Sequence, residues 1–262
     1  MDDADVSGYW NQNATAWAEQ VRRGYDLYRE VLNNPAMFAL IGPVSGKDVI
    51  DLGCGEGYNT RKIAPHARSV CGVDISERMI QYAQDAERKQ PLGIRYSVSS
   101  FSALSMYQDE SFDLAISFMA LMDGADYDRA IAEAARVLRP GGALVFSILH
   151  PCFATPGLEW TTDASGEKNK LLVGNYFGCD PYVDTWSFSR SPIAEEFPPF
   201  NVPRFQRTLS QYLNPLPANG LCIQQLGEPQ PGELACEEHP FLAKWSRHAA
   251  LFLHVRAIKA MR

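Results

Sequence analysis

A glycine-rich turn between an apolar run and a helical segment is the part of the sequence best suited to chemistry. Residues 49–57 read VIDLGCGEG, and Gly53 permits a tight turn while Gly55 lets the backbone approach a ligand that a Cβ atom would obstruct. Asp74 follows Gly53 by 21 residues, at the end of the next apolar run, where a carboxylate can accept hydrogen bonds from both hydroxyls of a ribose. This order predicts a nucleoside-binding crevice, whereas the glycine turn alone would also fit a role in packing only.

The charge of the turn narrows the class of nucleoside. The dinucleotide fingerprint has its third glycine at position 58, where this chain has Tyr58. Asp51 precedes the first glycine, and its carboxylate would repel a pyrophosphate but not a ligand that carries an ammonium and a sulfonium. S-adenosylmethionine carries both groups. The charge therefore favours it over NAD or FAD.

The elements around the turn must form an alternating sheet. Apolar runs predict strands at 48–52, 69–73, 94–98, 112–118 and 143–149, with closing strands at 221–226 and 251–258. Helical segments follow the first, second and fourth of these strands. Near-continuous apolar strands that alternate with such helices predict an α/β fold, a doubly wound, Rossmann-like, mostly parallel sheet with helices on both faces.

Composition divides the chain into four predicted segments. They are an N-terminal helical cap (1–44), the nucleoside-binding core (45–150), an inserted cap after the fifth strand (151–217) and the closing strands of the sheet (218–262). In the first segment, a helical stripe of apolar residues from Trp10 to Leu32 should break at Asn33-Asn34-Pro35, before a short helix over 36–41. The insert is rich in proline and aromatic residues, with a hairpin expected around 161–170. It is predicted to cover a substrate, although its aromatic side chains could instead form a core of their own.

The motifs of the core resemble those of class I S-adenosylmethionine-dependent methyltransferases. VIDLGCGEG, GVDIS, FDLAISF and VLRPGGALVFSILHP occur in that family's order and spacing, over roughly residues 45–150. The chain looks most like the small-molecule branch with the common methyltransferase domain. The resemblance implies S-adenosyl-L-methionine as cofactor and methyl transfer to oxygen or nitrogen of a small metabolite.

The resemblance also implies the contacts of the cofactor. The expected contacts are Asp51, Gly53, Cys54 and Gly55 at the methionine end and ribose, Asp74 at the ribose hydroxyls, Ile75 and Met79 at the adenine, and Phe118 near the methyl group. Met79 would serve equally well as a core residue. Where many relatives carry an acidic residue for the adenine amine, this chain has Ser100 and Phe101, which are expected to take that place.

Catalysis and substrate binding have weaker signals in the sequence. A general base is needed only when the methyl acceptor carries a proton to be removed. His150, at the end of the fifth predicted strand, is the candidate base, unless its imidazole only bonds to backbone. The candidate substrate contacts are Trp17, Tyr28, Met119 and Arg207, the last for a carboxylate or phosphate. The alternatives are packing of the aromatic residues on the sheet and a salt bridge for Arg207.

Composition limits the partners. The net charge of −7 argues against a phosphate-binding surface, so an RNA methyltransferase is a less favoured alternative, as is a non-catalytic module that binds S-adenosylmethionine. No apolar run approaches the roughly 18–20 residues of a membrane span, and the acidic start is unlike a signal peptide. The cysteines at 54, 71, 152, 179, 222 and 236 lack metal-ligand spacing. We therefore expect a cytoplasmic monomer or homodimer with reduced thiols, no metal, and a small-molecule acceptor as partner.

Overall fold

A seven-stranded sheet forms the centre of the molecule in a computed structural model that describes residues 1–178, 180–188 and 196–261. Its strands are β1 (Asp48–Leu52), β2 (Ser69–Asp74), β3 (Arg95–Val98), β4 (Phe112–Phe118), β5 (Leu138–Leu149), β10 (Leu221–Gly227) and β11 (Phe252–Lys259). They lie in the order β10-β11-β5-β4-β1-β2-β3. The first five pair in parallel, whereas β11 runs antiparallel to both β5 and β10. The strand order reverses between β1 and β4, where a crevice is expected outside the carboxyl ends.

Helices cover both faces of this sheet. They are α1 (Asp3–Arg22), α2 (Asn34–Ile41), α3 (Tyr58–Ile63), α4 (Glu77–Lys89), α5 (Tyr127–Val137), α6 (Leu209–Leu213), α7 (Pro215–Ala218), α8 (Glu233–Glu238) and α9 (Ala243–His248). One apolar core, which includes Ile131 of α5, fills one face, and another, which includes Ile80 of α4, fills the other. The predicted doubly wound α/β sheet is confirmed.

The N-terminal segment departs from the predicted helix boundaries. The first helix ends at Arg22, and Gly24 follows with a φ of 71°. A π-helical turn (Arg29–Asn33) then continues directly into α2, so the expected break at Asn33-Asn34-Pro35 is wrong. Pro35 is tolerated because it lies in the first turn of α2, where a missing N–H removes no helical hydrogen bond.

The insert contains two hairpins, of which one was predicted. β6 (Glu159–Thr162) pairs with β7 (Lys168–Leu172), which confirms the hairpin expected around 161–170. β8 (Tyr182–Trp186) pairs with β9 (Phe200–Arg204), and this second hairpin was not predicted. The two predicted closing strands are confirmed as β10 and β11, and two helices that were not predicted, α8 and α9, lie between them.

Helix α1 joins the core to the second hairpin and thereby closes one side of the crevice. The hydroxyl of Ser7 donates to the carbonyl oxygen of Ile75 (3.1 Å), beyond the end of β2. The amide of Asn13 donates to the carbonyl oxygen of Asn201 in β9 (2.8 Å). The ring of Trp17 packs edge-on against that of Trp186 at a centroid distance of 5.9 Å. The insert and the N-terminal segment therefore form one wall.

Two further observations concern the helices and the cysteines. Of the helices in the described residues, none combines the length and the apolar character that a bilayer crossing requires. Cys54, Cys71, Cys152, Cys222 and Cys236 are free thiols, and Cys179 lies outside the described residues.

Candidate functional site

A cavity of about 350 Å³ lies at the carboxyl ends of β1, β2 and β4. The glycine turn forms its floor, and α1, the π-helical turn and the β8–β9 hairpin form its opposite walls. Its volume falls within the range of about 300–1,000 Å³ that is typical of small-molecule sites.

The glycine turn is tied to the end of β2 by backbone hydrogen bonds. The N–H groups of Gly53 and Cys54 both donate to the carbonyl oxygen of Val73, at 2.8 and 2.9 Å. The N–H of Gly55 donates to Oδ2 of Asp74, and the N–H of Ser76 donates to its Oδ1, both at 2.9 Å. The backbone thus fixes the Asp74 carboxylate at the mouth of the turn.

The turn requires glycine at two positions for different reasons. Gly53 has a φ of 76°, and a Cβ atom there would lie 2.3 Å from Cβ of Ala120, so a side chain is excluded by both conformation and contact. Gly55 has a φ of 55°, and a Cβ atom there would meet no atom within 4 Å. Because Gly55 lines the cavity, the space that its missing side chain leaves is available to a ligand.

Carboxyl groups without a cationic partner surround the turn. Oδ2 of Asp51 accepts from the hydroxyl of Thr60 (2.6 Å), but the buried Oδ1 has no partner, and neither has Oε1 of Glu56. Within the described part of the chain, no Lys, Arg or His nitrogen lies within 4.0 Å of the carboxylates of Asp51, Glu56 or Asp74. Burial raises the pKa of Asp51 to about 7 and that of Asp74 to about 6, and it also raises the pKa of Glu56.

Hydrogen-bond donors without partners face the same cavity from the π-helical turn. Nε and Nη2 of Arg29 are buried and hydrogen-bond to nothing, although Nε lies 3.7 and 3.4 Å from carboxylate oxygens of Asp26 and Glu30. Nδ2 of the buried Asn33 is also unpartnered, while its Oδ1 accepts from Nε2 of His254 (2.9 Å). Burial lowers the pKa of His254 to about 4, so its ring is neutral at pH 7.

This arrangement fits one end of an amino acid zwitterion. The unpartnered oxygens of Asp51 and Glu56 suit an ammonium, and the unpartnered donors of Arg29 and Asn33 suit a carboxylate. S-adenosylmethionine carries such an amino acid group, and it also has a ribose whose hydroxyls could reach Asp74. The residues present therefore fit the cofactor that the sequence predicts.

The remaining part of the cavity is apolar apart from one buried ion pair. Tyr28, Met119, Leu149, Trp245 and Phe252 contribute to its wall. Met119 has a φ of 56°, a left-handed conformation that is uncommon for a residue with a side chain.

The ion pair in this part joins the core to the second hairpin. Nη1 of Arg204, at the end of β9, donates to Oδ1 of Asp123 at 2.6 Å, and both residues are buried. Nε of Arg204 lies 3.5 Å from Oδ2 of Asp184 in β8.

Comparison with known proteins assigns the family. The structure superposes on the crystal structure of an S-adenosylmethionine-dependent methyltransferase from Mesorhizobium loti with a TM-score of 0.70 and 31% sequence identity, over 86% of this chain and 96% of that one. The chain belongs to the S-adenosylmethionine-dependent methyltransferases. Residues 50–146 match the family description "Methyltransferase domain".

Curated relatives of this methyltransferase match its core. The ubiquinone biosynthesis O-methyltransferase of Coxiella burnetii is 34% identical over 110 residues, which are 42% of this chain and 47% of that protein. The demethylmenaquinone methyltransferase of Tropheryma whipplei is 35% identical over 107 residues, 40% of this chain and 43% of that protein. The chain thus spans about half the length of the curated relatives it matches.

Most residues singled out in the sequence lie on the cavity wall of the methyltransferase. They are Asp51, Gly53, Cys54, Gly55, Asp74, Ile75, Met79, Ser100, Phe101, Phe118, Trp17, Tyr28 and Met119. Their contacts with a ligand remain a prediction. Their convergence on one cavity agrees with the roles that the family resemblance implies.

His150 is a correction to the predicted site, because it does not lie on the wall of this cavity. Side chains alternate along a strand, and the preceding residue, Leu149, occupies the wall. The imidazole is buried, with Nε2 donating to Glu228 (2.9 Å) and Nδ1 accepting from the N–H of Cys152 (3.2 Å). Both ring nitrogens of His150 are thus engaged by protein groups, and the structure does not bring the imidazole into the cavity.

Arg207 is a second correction. Its Nη2 donates to the carbonyl oxygens of Gly124 (2.7 Å) and Ala125 (3.2 Å), and its Nη1 donates to that of Met122 (3.4 Å). The guanidinium also lies over the rings of neighbouring aromatic residues. Arg207 therefore holds the loop after β4 through hydrogen bonds to its carbonyl oxygens. It does not line the cavity itself.

Several residues of the cavity were missed in the sequence. Arg29 and Asn33 lie in a segment whose helix boundary was misplaced. The ion pair of Asp123 and Arg204 joins two parts of the chain 81 residues apart, and no local pattern marks it. A weak signal did exist for Arg204, because Phe200, Val202 and Arg204 alternate on one face of β9.

We expect the substitution Gly55→Ala to weaken cofactor binding more than it weakens the fold. The strain of a left-handed alanine is about 1–2 kcal/mol, but the added Cβ atom would also occupy the space beside the turn. Calorimetry should show at least about a tenfold loss of affinity for S-adenosylhomocysteine, since lost contacts of about 1.4 kcal/mol correspond to that factor. Gly46→Ala is the matched control, because Gly46 has a φ of 73°, open space around it and no place in the cavity. Equal affinities of the two variants would contradict this role of Gly55.

We also expect binding of S-adenosylmethionine to release protons near pH 7. A carboxyl group with a pKa of about 7 is half protonated there, and a nearby cation lowers that pKa, so roughly half a proton should leave Asp51. The affinity should accordingly rise as the pH increases from 6 to 8. Binding enthalpies measured in two buffers of different ionisation enthalpy report the number of protons. Release that is unchanged in the Asp51→Asn variant would exclude Asp51 as the source.

Proposed function

We propose that the protein transfers a methyl group from S-adenosylmethionine to oxygen or nitrogen of a small metabolite. The observation that carries this proposal is the set of buried carboxyl groups without cationic partners around the glycine turn. They suit a ligand with positive charge on both its ammonium and its sulfur. The membership of the chain in the methyltransferase family supports the same conclusion.

The cavity residues position the cofactor by complementary charge. Asp51 and Glu56 bind the ammonium, Arg29 and Asn33 bind the carboxylate, and Asp74 binds the ribose hydroxyls. Ile75, Met79 and Phe101 then lie near the adenine. When bound, the cofactor supplies a methyl carbon that the sulfonium activates toward a nucleophile.

The other half of the cavity holds the acceptor and excludes water from it. Tyr28, Met119, Leu149, Trp245 and Phe252 offer apolar surface to a ring or chain of similar size. Alignment of the acceptor with the methyl carbon in a dry site accounts for most of the catalysis that such a displacement needs. The names of the relatives, a ubiquinone biosynthesis O-methyltransferase and a demethylmenaquinone methyltransferase, support an acceptor with an apolar ring. The size of the cavity, about 350 Å³, and the net charge of −7 support a small acceptor over RNA.

Transfer of a labelled methyl group tests this proposal. The protein is incubated with methyl-labelled S-adenosylmethionine and a bacterial extract, with and without ribonuclease, and the label is followed by chromatography. We expect the label in the small-molecule fraction whether or not ribonuclease is present. Asp74→Asn should reduce the transfer at low cofactor concentration, because it removes an acceptor worth about 1–3 kcal/mol. Label in RNA, or no transfer at all, would contradict the proposal.

A further inference from the structure

The buried pair of Asp123 and Arg204 lies in the acceptor half of the cavity. Asp123 ends the 3₁₀ turn Leu121–Asp123, directly after β4 and next to the positions expected near the methyl group. Its Oδ1 accepts from Arg204, and within the described residues no donor is paired with its Oδ2. One carboxylate oxygen is therefore held while the other remains available.

Packing does not account for this pair. A buried ion pair contributes little to stability, because the cost of removing both charges from water offsets their attraction. Hydrophobic side chains would fill the same space at no loss of stability, and the neighbouring wall residues Met122 and Val202 are apolar. The fold does not need charges here, so their presence at the cavity wall points to chemistry.

The geometry points to Asp123 as the general base of methyl transfer, with Arg204 as the group that holds it and binds the acceptor oxygen. This inference rests on the proposed function and specifies its acceptor as a hydroxyl group on a small apolar molecule. The hydroxyl oxygen forms its bond to the methyl carbon as the carbon–sulfur bond breaks, and the electron pair of that bond stays on sulfur. The hydroxyl proton moves to the carboxylate of Asp123, so the product is a neutral methyl ether.

Arg204 suits a hydroxyl acceptor. A guanidinium stabilises the negative charge that develops on a hydroxyl oxygen as its proton leaves. Asp123 and Arg204 together thus suit an oxygen acceptor.

The surroundings of Asp123 keep it ionised at neutral pH. Burial raises the pKa of Asp123 to about 6, although Arg204 from β9 opposes this shift. Asp184 from β8 contributes to the rise, and Arg207, before α6, opposes it. A base with this pKa is deprotonated at pH 7, so kcat/KM should fall as the pH decreases through about 6.

A pair of hydroxyl acceptors of different acidity tests the inference. Catechol requires a base at pH 7.5, whereas 4-nitrocatechol is already ionised there. Asp123→Asn should lower kcat/KM for catechol by about 10²–10⁴-fold, the usual contribution of a general base, and should lower it less than about tenfold for 4-nitrocatechol. A merely structural role would lower both values equally, and that result would overturn the inference.

Controls separate this inference from the proposed function. Asp128→Asn makes the same change of charge at an exposed position of α5, outside the cavity, and should leave both rates unchanged. Asp123→Asn should bind S-adenosylhomocysteine as the wild type does in calorimetry.

Faster methylation of o-phenylenediamine than of catechol, or transfer to extract metabolites with none to either catechol, would overturn the hydroxyl acceptor alone. Absence of both cofactor binding and transfer to the extract would instead contradict the proposed function.

Discussion

Negative charge that is kept out of water, and that no ion pair within 4.0 Å balances, is the constraint on which the site depends. Asp51 and Glu56 are buried, and Asp74 is held against the backbone at the end of β2. An isolated buried carboxylate is costly, and the raised pKa values of these groups express that cost. A bound cation removes it. These carboxylates therefore favour the binding of a positively charged ligand that is small enough for the cavity.

The fold supplies this constraint through a small number of local features. Parallel strands end at the same edge of the sheet, and this brings Asp51 and Asp74 close together. The left-handed glycines at 53 and 55 turn the chain sharply enough for the N–H of Gly55 to donate to Asp74. Helix α1 and the insert add the outer wall of the cavity.

The sequence predicts the core of the fold, and most residues that it singles out for the cofactor lie on the cavity wall. The apolar strands and the glycine turn are local signals, and each depends on residues close together in the chain. The acceptor half depends on contacts between distant segments. The partners Asp123 and Arg204 become neighbours only when the β8–β9 hairpin packs on the core, and a strand signal cannot show that packing.

His150 shows a second limit of prediction from sequence, which concerns the direction of a side chain. Its position at the end of a strand was predicted closely, but the alternation of side chains places Leu149 in the cavity and His150 behind it. A shift of one residue at the end of β5 thus decides which side chain lines the cavity. The end of the first helix was also misplaced, by about ten residues. Arg29 and Asn33 lie in the π-helical turn that follows, and for this reason they were not predicted as site residues.

A crystal structure of the protein with S-adenosylhomocysteine would test the central claim most directly. The account predicts the ammonium within about 3 Å of Asp51 or Glu56, the ribose hydroxyls on Asp74, and the sulfur directed toward the part of the cavity that holds Asp123. A nucleoside bound with its amino group away from these carboxylates, or bound outside this cavity, would contradict it.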